Sequence, residues 1–357
     1  MKVGVLGAGA WGTALAQMVA SDGSDVLLWA REAALVDEIN SGRTNATYLP
    51  SARLAESIRA TDDLAEMAKL DVLLVVTPAQ HMGSVLEAMP AHPQDLILCS
   101  KGIEAGTGRL MNQVARDTAP GSDIAVLSGP TFAHEVAAGL PAAVTLACGG
   151  RQAQWKRISP AIARQTFRPY YSDDVTGAEI GGAVKNVLAI ACGVVDGLQL
   201  GQNARAALIA RGYAEMLRFG EEKGAKAETL TGLCGLGDLV LTCSSTSSRN
   251  FSLGKALGEG KSAADLMADR RTVAEGAHTA PVLVELAARH GIAMPIVTAV
   301  YDLLRDLELP SSLRARFDFL LFLDRRSSGL SLRFRLALRL SWLGERPRLR
   351  ERERERE

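Results

Sequence analysis

The sequence predicts an α/β domain built on a mostly parallel sheet, followed by an all-helical domain. Three observations carry this. Short apolar runs alternate with helix-periodic segments through the first half, the pattern of βαβ units. The run at residues 71–76 is continuously apolar after its first residue, as a strand buried on both faces must be. Beyond Ser172 the strand signals fade, and long Ala/Leu/Gly-rich stretches take over.

The first strand is Lys2-Val3-Gly4-Val5-Leu6, and it runs straight into Gly7-Ala8-Gly9-Ala10-Trp11-Gly12. This is G-x-G-x-x-G between a strand and a helix, the context in which that spacing predicts dinucleotide binding. Gly7 permits the turn, Gly9 lets a pyrophosphate approach the backbone, and Gly12 lets the helix pack on the strand. The pyrophosphate would lie on the free N–H groups of the helix that opens here. A secretory signal is the competing reading of these residues, but four glycines within twelve positions and a single preceding lysine fit it poorly.

Residues 25–29 form the second strand, with a helix at 32–40. Residues 95–99 and 123–127 continue the parallel sheet, with a periodic segment at 110–117 between them. Residues 142–147 and 166–171 are expected to add edge strands. Helices are expected at 178–196, 204–223, 280–290 and 296–305. The resulting division is a dinucleotide-binding domain at 1–172, a helical domain at 173–308 and an atypical tail at 309–357, with the ligand cleft between the two domains.

Composition narrows the function classes. The five cysteines form no C-x-x-C and the five histidines no H-x-x-x-H, so neither a disulfide framework nor a metal site is expected. No run of transmembrane length is free of glycine and charge; a cytoplasmic protein without an integral membrane segment is the expectation. Net charge is zero, yet residues 314–357 hold 13 arginines against 7 acidic residues. The remainder is therefore mildly acidic, which argues against nucleic acid as a partner. The tail contains no Val, Ile, Lys, Thr, Asn, Gln or Met after Ser311 and ends in Arg-Glu repeats. Such composition predicts disorder. An out-of-frame reading of a GC-rich gene would produce it, and sequencing the 3′ end would decide; a basic arm is the functional alternative.

Ligands of open α/β sheets bind at the carboxyl ends of the strands. Arg31 there favours the 2′-phosphate of NADP(H) without excluding NAD(H), although Arg31-Glu32 also suits a solvated charged pair. Ser100-Lys101-Gly102 would aim a lysine into the cleft, unless Lys101 is a solvated loop residue. Ser128-Gly129-Pro130-Thr131 forms a second anion-friendly turn, with Pro130 or Thr131 opening a helix. Lys185 is a lone cation in an apolar helix beside Gly181 and Gly182. Burial would lower its pKa toward neutrality and suit it to proton transfer; a snorkelling lysine is the alternative. The glycine pair costs helix stability, so close packing should compensate. Asp238 is either a helix cap or a partner of Lys185. The hydroxyl-rich run ending in Ser248-Arg249-Asn250 can ligate a phosphate, or serve as a linker.

Taken together and in order, Gly7-Ala-Gly-Ala-Trp-Gly-Thr-Ala, Ser100-Lys-Gly, Ser128-Gly-Pro-Thr-Phe-Ala, Gly182-Ala-Val-Lys-Asn-Val, Gly235-Leu-Gly-Asp-Leu, Ser248-Arg-Asn and Val273-Ala-Glu-Gly resemble the bacterial NAD(P)-dependent sn-glycerol-3-phosphate dehydrogenases. The resemblance covers residues 1 to about 305. It implies a Rossmann domain paired with a helical domain, interconversion of dihydroxyacetone phosphate and sn-glycerol 3-phosphate for phospholipid synthesis, and a homodimer. It further implies Lys185 as general acid/base, with Lys101, Gly129, Thr131, Asp238, Ser248, Arg249 and Asn250 on the substrate. Gly7, Gly9, Ala10, Trp11, Gly12, Arg31, Lys101, Ala133, Arg249, Val273 and Glu275 would contact the cofactor, NADP(H) in preference to NAD(H). Many relatives carry serine where this chain has Ala10; the lost donor is worth about 1 kcal/mol. The tail does not resemble the family's last helix. A reductase of small keto or hydroxy acids would share the fingerprint and the helix-borne lysine, but the Arg249 loop favours a phosphorylated substrate. A cofactor-binding protein without activity would need neither Lys185 nor Asp238.

Overall fold

The computed structural model describes residues 1–91, 93–268 and 274–305. The reading of the tail at 309–357 lies outside the described residues, as does Val273.

Eight strands form one sheet: β1 (Val3–Leu6), β2 (Val26–Trp29), β3 (Ile58–Thr61), β4 (Val72–Val75), β5 (Asp95–Leu98), β6 (Asp123–Ser128), β7 (Ala142–Cys148) and β8 (Phe167–Ser172). Their order is β3-β2-β1-β4-β5-β6-β7-β8. Every neighbouring pair is parallel except β6 with β7. Strands β1, β2, β4 and β5 are buried at every residue, which explains their unbroken apolar character. The order reverses between β1 and β4, and that switch point opens the crevice where open sheets take ligands.

The expected strands all form, with two differences. β3 was not anticipated: Ile58-Arg59-Ala60-Thr61 is short and carries the exposed Arg59 paired with Glu66, so it lacks the apolar run of a central strand. β7 is an interior strand between β6 and β8, so of the two expected edge strands β8 alone is one, and the opposite edge is β3. The helix after β2 spans Ala33–Asp37 and widens into a looser turn over Glu38–Gly42. After β6 neither Pro130 nor Thr131 opens the helix. Phe132 is still extended, and the helix begins at Ala133 (Ala133–Ala137). The chain leaves β6 with Gly129 wedged against Val144, so it must first clear β7.

The second half is helical, as expected. Its axis is the helix Val175–Gly197, surrounded by Gly201–Glu222, Asp238–Thr242, Arg249–Gly258, Glu275–His290 and Pro295–Arg305. The axial helix is long and apolar enough to span a membrane, yet it is buried within the fold. Glycines on it and on the facing helix Arg249–Gly258 allow backbone-to-backbone packing. A Cβ on Gly193 would stand 2.1 Å from the Phe251 carbonyl oxygen, and one on Gly254 would stand 1.9 Å from that of Ile190.

Candidate active site

The glycine turn is built by close contacts. Gly7 has φ +116°, a conformation open to glycine but strained for other residues. Its N–H donates to the Trp29 carbonyl at 3.1 Å. A Cβ on Gly12 would lie 1.8 Å from the Gly7 carbonyl oxygen, so the helix Ala10–Val19 could not otherwise sit so close to the turn. Around Gly9 a Cβ would meet nothing within 4 Å, leaving open space at the positive end of that helix. Thr77 abuts Gly7, and its buried hydroxyl has no partner; neither does the indole N–H of Trp11. Orphaned buried donors are rare unless something else satisfies them. Together with the open helix end they fit a dinucleotide, with Gly7, Gly9, Ala10, Trp11 and Gly12 around its pyrophosphate.

A line of contacts runs from this turn into the helical half. Ser100 donates to the Thr77 carbonyl at 2.5 Å. The next residue, Lys101, leaves the end of β5 and donates to Asp238 Oδ2 at 3.0 Å. Asp238 is fully buried, and its other oxygen pairs with Lys185 Nζ. Lys185 also donates to Thr242 Oγ1 at 3.1 Å, and Thr242 donates to Asp238 Oδ1 at 3.3 Å. Two ammonium groups thus share one carboxylate, leaving an excess of positive charge in a buried cluster. Of the two readings of Asp238, the partner of Lys185 holds; Asp238 is the first residue of the short helix Asp238–Thr242, not its cap, which is Gly237.

Burial pushes Lys185 down to about 7; Asp238 resists this and the Lys101 charge adds to it. Burial also acts to lower Lys101, but Asp238 outweighs it and holds Lys101 above the ordinary lysine range. The snorkelling alternative for Lys185 therefore fails: its side chain is 5% exposed and bonded within the protein. The cost of Gly181 and Gly182 is offset by packing. A Cβ on Gly181 would meet the Cys234 carbonyl at 2.3 Å, and one on Gly182 would crowd Ser128 Oγ and the Lys101 stem at 3.2 and 3.4 Å.

The remaining residues frame the cluster. Asn250 donates to Asn186 Oδ1 at 3.0 Å and accepts from the Gly276 N–H at 2.9 Å, tying three helices together. Arg249 and Asn250 are the first residues of the helix Arg249–Gly258 rather than loop residues, and Ser248 caps it by accepting from the Phe251 N–H at 3.2 Å. Arg249 is exposed. Burial pushes Glu275 up, and the charges of Arg249, Lys101 and Lys185 pull it back, so these groups converge on one region. Thr131 donates to the Gly129 carbonyl at 3.3 Å. Ala133 begins the helix Ala133–Ala137, which packs on the helix Ala10–Val19 after the glycine turn. Arg31 stands away from the cluster, exposed past the end of β2 and paired with Glu32 at 2.7 Å.

Sequence reasoning passed over Thr77, Ser128, Asn186 and Thr242 as site residues. Thr242 carried a local signal, standing one helical turn after Asp238, and Ser128 and Asn186 lay inside motifs read for their neighbours. Ser128 is buried with its hydroxyl unpartnered, like that of Thr77. No group of His, Cys, Asp and Glu suited to a metal occurs among the described residues.

Comparison with known proteins bears on what this arrangement is. Residues 2–154 match the family model for the N-terminus of NAD-dependent glycerol-3-phosphate dehydrogenase, and residues 174–313 match that for its C-terminus. The chain belongs to the NAD-dependent glycerol-3-phosphate dehydrogenase family. As a member of this family it is an NAD(P)-dependent oxidoreductase. A glycerol-3-phosphate dehydrogenase [NAD(P)+] of Erythrobacter litoralis is 74% identical over 299 residues, 84% of this chain and 90% of the relative. One from Novosphingobium aromaticivorans is 73% identical over 303 residues, 85% and 92% of the two chains. The crystal structure of glycerol-3-phosphate dehydrogenase from Coxiella burnetii superposes with a TM-score of 0.84 at 39% identity, covering 90% of this chain and 99% of that one.

Proposed function

We propose that this member of the family interconverts dihydroxyacetone phosphate and sn-glycerol 3-phosphate, with Lys185 as the general acid/base. The observation that carries this reading is the buried Lys101–Asp238–Lys185 cluster beside the glycine turn. NAD(P)H, when bound, supplies the hydride. In reduction, Lys185 Nζ gives its proton to the carbonyl oxygen, so that alkoxide charge does not accumulate. Asp238 orients Lys185, and burial, reinforced by Lys101 and opposed by Asp238, sets its proton affinity near neutrality. In oxidation the neutral amine takes the hydroxyl proton back. Lys101, Gly129, Thr131, Ser248, Arg249 and Asn250 hold the substrate, and Arg249 neutralises phosphate charge. Gly7, Gly9, Ala10, Trp11, Gly12, Arg31, Ala133, Val273 and Glu275 hold the cofactor, joined by Lys101 and Arg249. NADP(H) is the preferred form because Arg31 is free to meet a 2′-phosphate at the cost of only its exposed pairing with Glu32. The product is suited to phospholipid synthesis in the cytoplasm, and the working unit is a homodimer, which light scattering of the purified protein would test.

The deciding experiment follows oxidation of NADPH, then NADH, in the presence of dihydroxyacetone phosphate. Wild-type protein should turn over with both, faster with NADPH. Lys185→Ala should lose about 100-fold or more in kcat, the usual worth of a positioned acid, with little change in cofactor KM. Arg31→Ala should raise the KM for NADPH alone. Absence of turnover by the wild type with either cofactor would sink the assignment of substrate.

A further inference from the structure

Asn45 lies in the connection between β2 and β3, 37 residues after Ala8, and is fully buried. Its amide is completely engaged. Nδ2 donates to the Ala8 carbonyl at 2.9 Å and to Thr13 Oγ1 at 2.9 Å. Oδ1 accepts from the Tyr48 N–H at 3.1 Å. Thr13, also fully buried, donates its hydroxyl to the same Ala8 carbonyl at 3.2 Å. The Ala8 oxygen, in the middle of the Gly7-Ala8-Gly9 turn, therefore accepts from two side chains on its inner side.

The peptide unit between Ala8 and Gly9 is planar and trans. Its carbonyl and its N–H point in opposite directions. Holding the Ala8 oxygen inward therefore turns the Gly9 N–H outward, toward the open space at the start of the helix Ala10–Val19. We propose that Asn45 is a positioning residue for the cofactor: by clamping the Ala8 carbonyl it aims the Gly9 N–H at the pyrophosphate. This rests on the dinucleotide assignment made above. Asn45 touches neither the reacting atoms nor the substrate side of the cleft. Its effect should appear in cofactor affinity and not in the chemical step.

The test compares Asn45→Asp with the wild type and uses two ligands, NADP+ and adenosine 2′-monophosphate. The aspartate has nearly the same shape but cannot donate to the Ala8 oxygen. Kd for NADP+ should rise about tenfold or more, as expected for the loss of one buried hydrogen bond. Kd for adenosine 2′-monophosphate, which has no pyrophosphate, should not move, and neither should the KM for dihydroxyacetone phosphate. Thr13→Val, which removes the other donor to the same oxygen, should shift NADP+ affinity in the same direction by less and serves if Asn45→Asp does not fold. Unchanged NADP+ affinity in both variants overturns the proposal. Equal weakening of both ligands also overturns it, because it would mark a general structural role. Failure of the wild type to bind NADP+ would instead remove the dinucleotide assignment itself.

Discussion

Asp238 holds two ammonium groups at once, and this makes its charge more consequential than its position. Its carboxylate raises Lys185, whereas burial and Lys101 lower it. Reduction needs Lys185 protonated, so its rate should fall as pH rises through about 7. Oxidation needs the neutral amine and should rise over the same interval. In Asp238→Asn the opposing attraction is gone, and both limbs should move to lower pH. At neutral pH the variant should reduce more slowly than wild type by more than its loss of substrate affinity explains. A pH–kcat series in both directions checks this, and limbs that stay in place would mean that Asp238 only orients the lysine. Breaking a buried ion pair by removing one partner costs about 3–5 kcal/mol, so folding of the variant should be verified at each pH. Lys185 was conspicuous in the sequence because a cation in an apolar helix is unusual. Thr77 and Ser128 were not, because a hydroxyl at a strand end looks the same whether or not a neighbour satisfies it.

Among the elements, the axial helix Val175–Gly197 does most to join the two halves, and it does so partly through a carboxylate. Glu179 is buried and accepts from the backbone N–H of Asn112 at 2.7 Å and from the Asn112 side chain. Asn112 stands in the first turn of the helix Met111–Thr118, so Glu179 satisfies one of that helix's free donors. Burial nevertheless pushes Glu179 up to about 8. Its folded pKa exceeds the unfolded value of about 4.3. The folded state therefore binds more protons between those limits, and stability falls as pH rises through that window. Glu179→Gln keeps an acceptor for the Asn112 N–H without the charge. Its Tm relative to wild type should improve steadily from about pH 5 to about pH 8; a constant difference would show that Glu179 is not charged by folding at the cost proposed. Element types were largely legible in the sequence, since unbroken apolar runs and helical periodicity are local. β3 was not, because an edge strand with one solvent-facing arginine has no such run. The start of the helix after β6 was misjudged for a related reason: Pro130 permits a helix there, but contact of Gly129 with β7 delays it.

At the scale of the molecule, all the described residues of the proposed site lie before residue 276, and the last described helix ends at Arg305. The family match ends at residue 313. A chain stopped after Leu313 should therefore keep the kcat/KM of the full chain for dihydroxyacetone phosphate. A large loss on truncation would show that the Arg-rich segment contributes to folding or assembly. The sequence by itself determined the order of α/β and helical halves, the glycine turn and the identity of the family. These are properties of residue type and short spacing, which survive without knowing the fold. Only the tertiary structure decided the strand order, the interior place of β7, the clamp of Asn45 on Ala8, and the meeting of Lys101 with Asp238 across 137 residues. Those contacts depend on how the helices close over the sheet, and no local periodicity encodes which of many distant polar residues will share a buried charge.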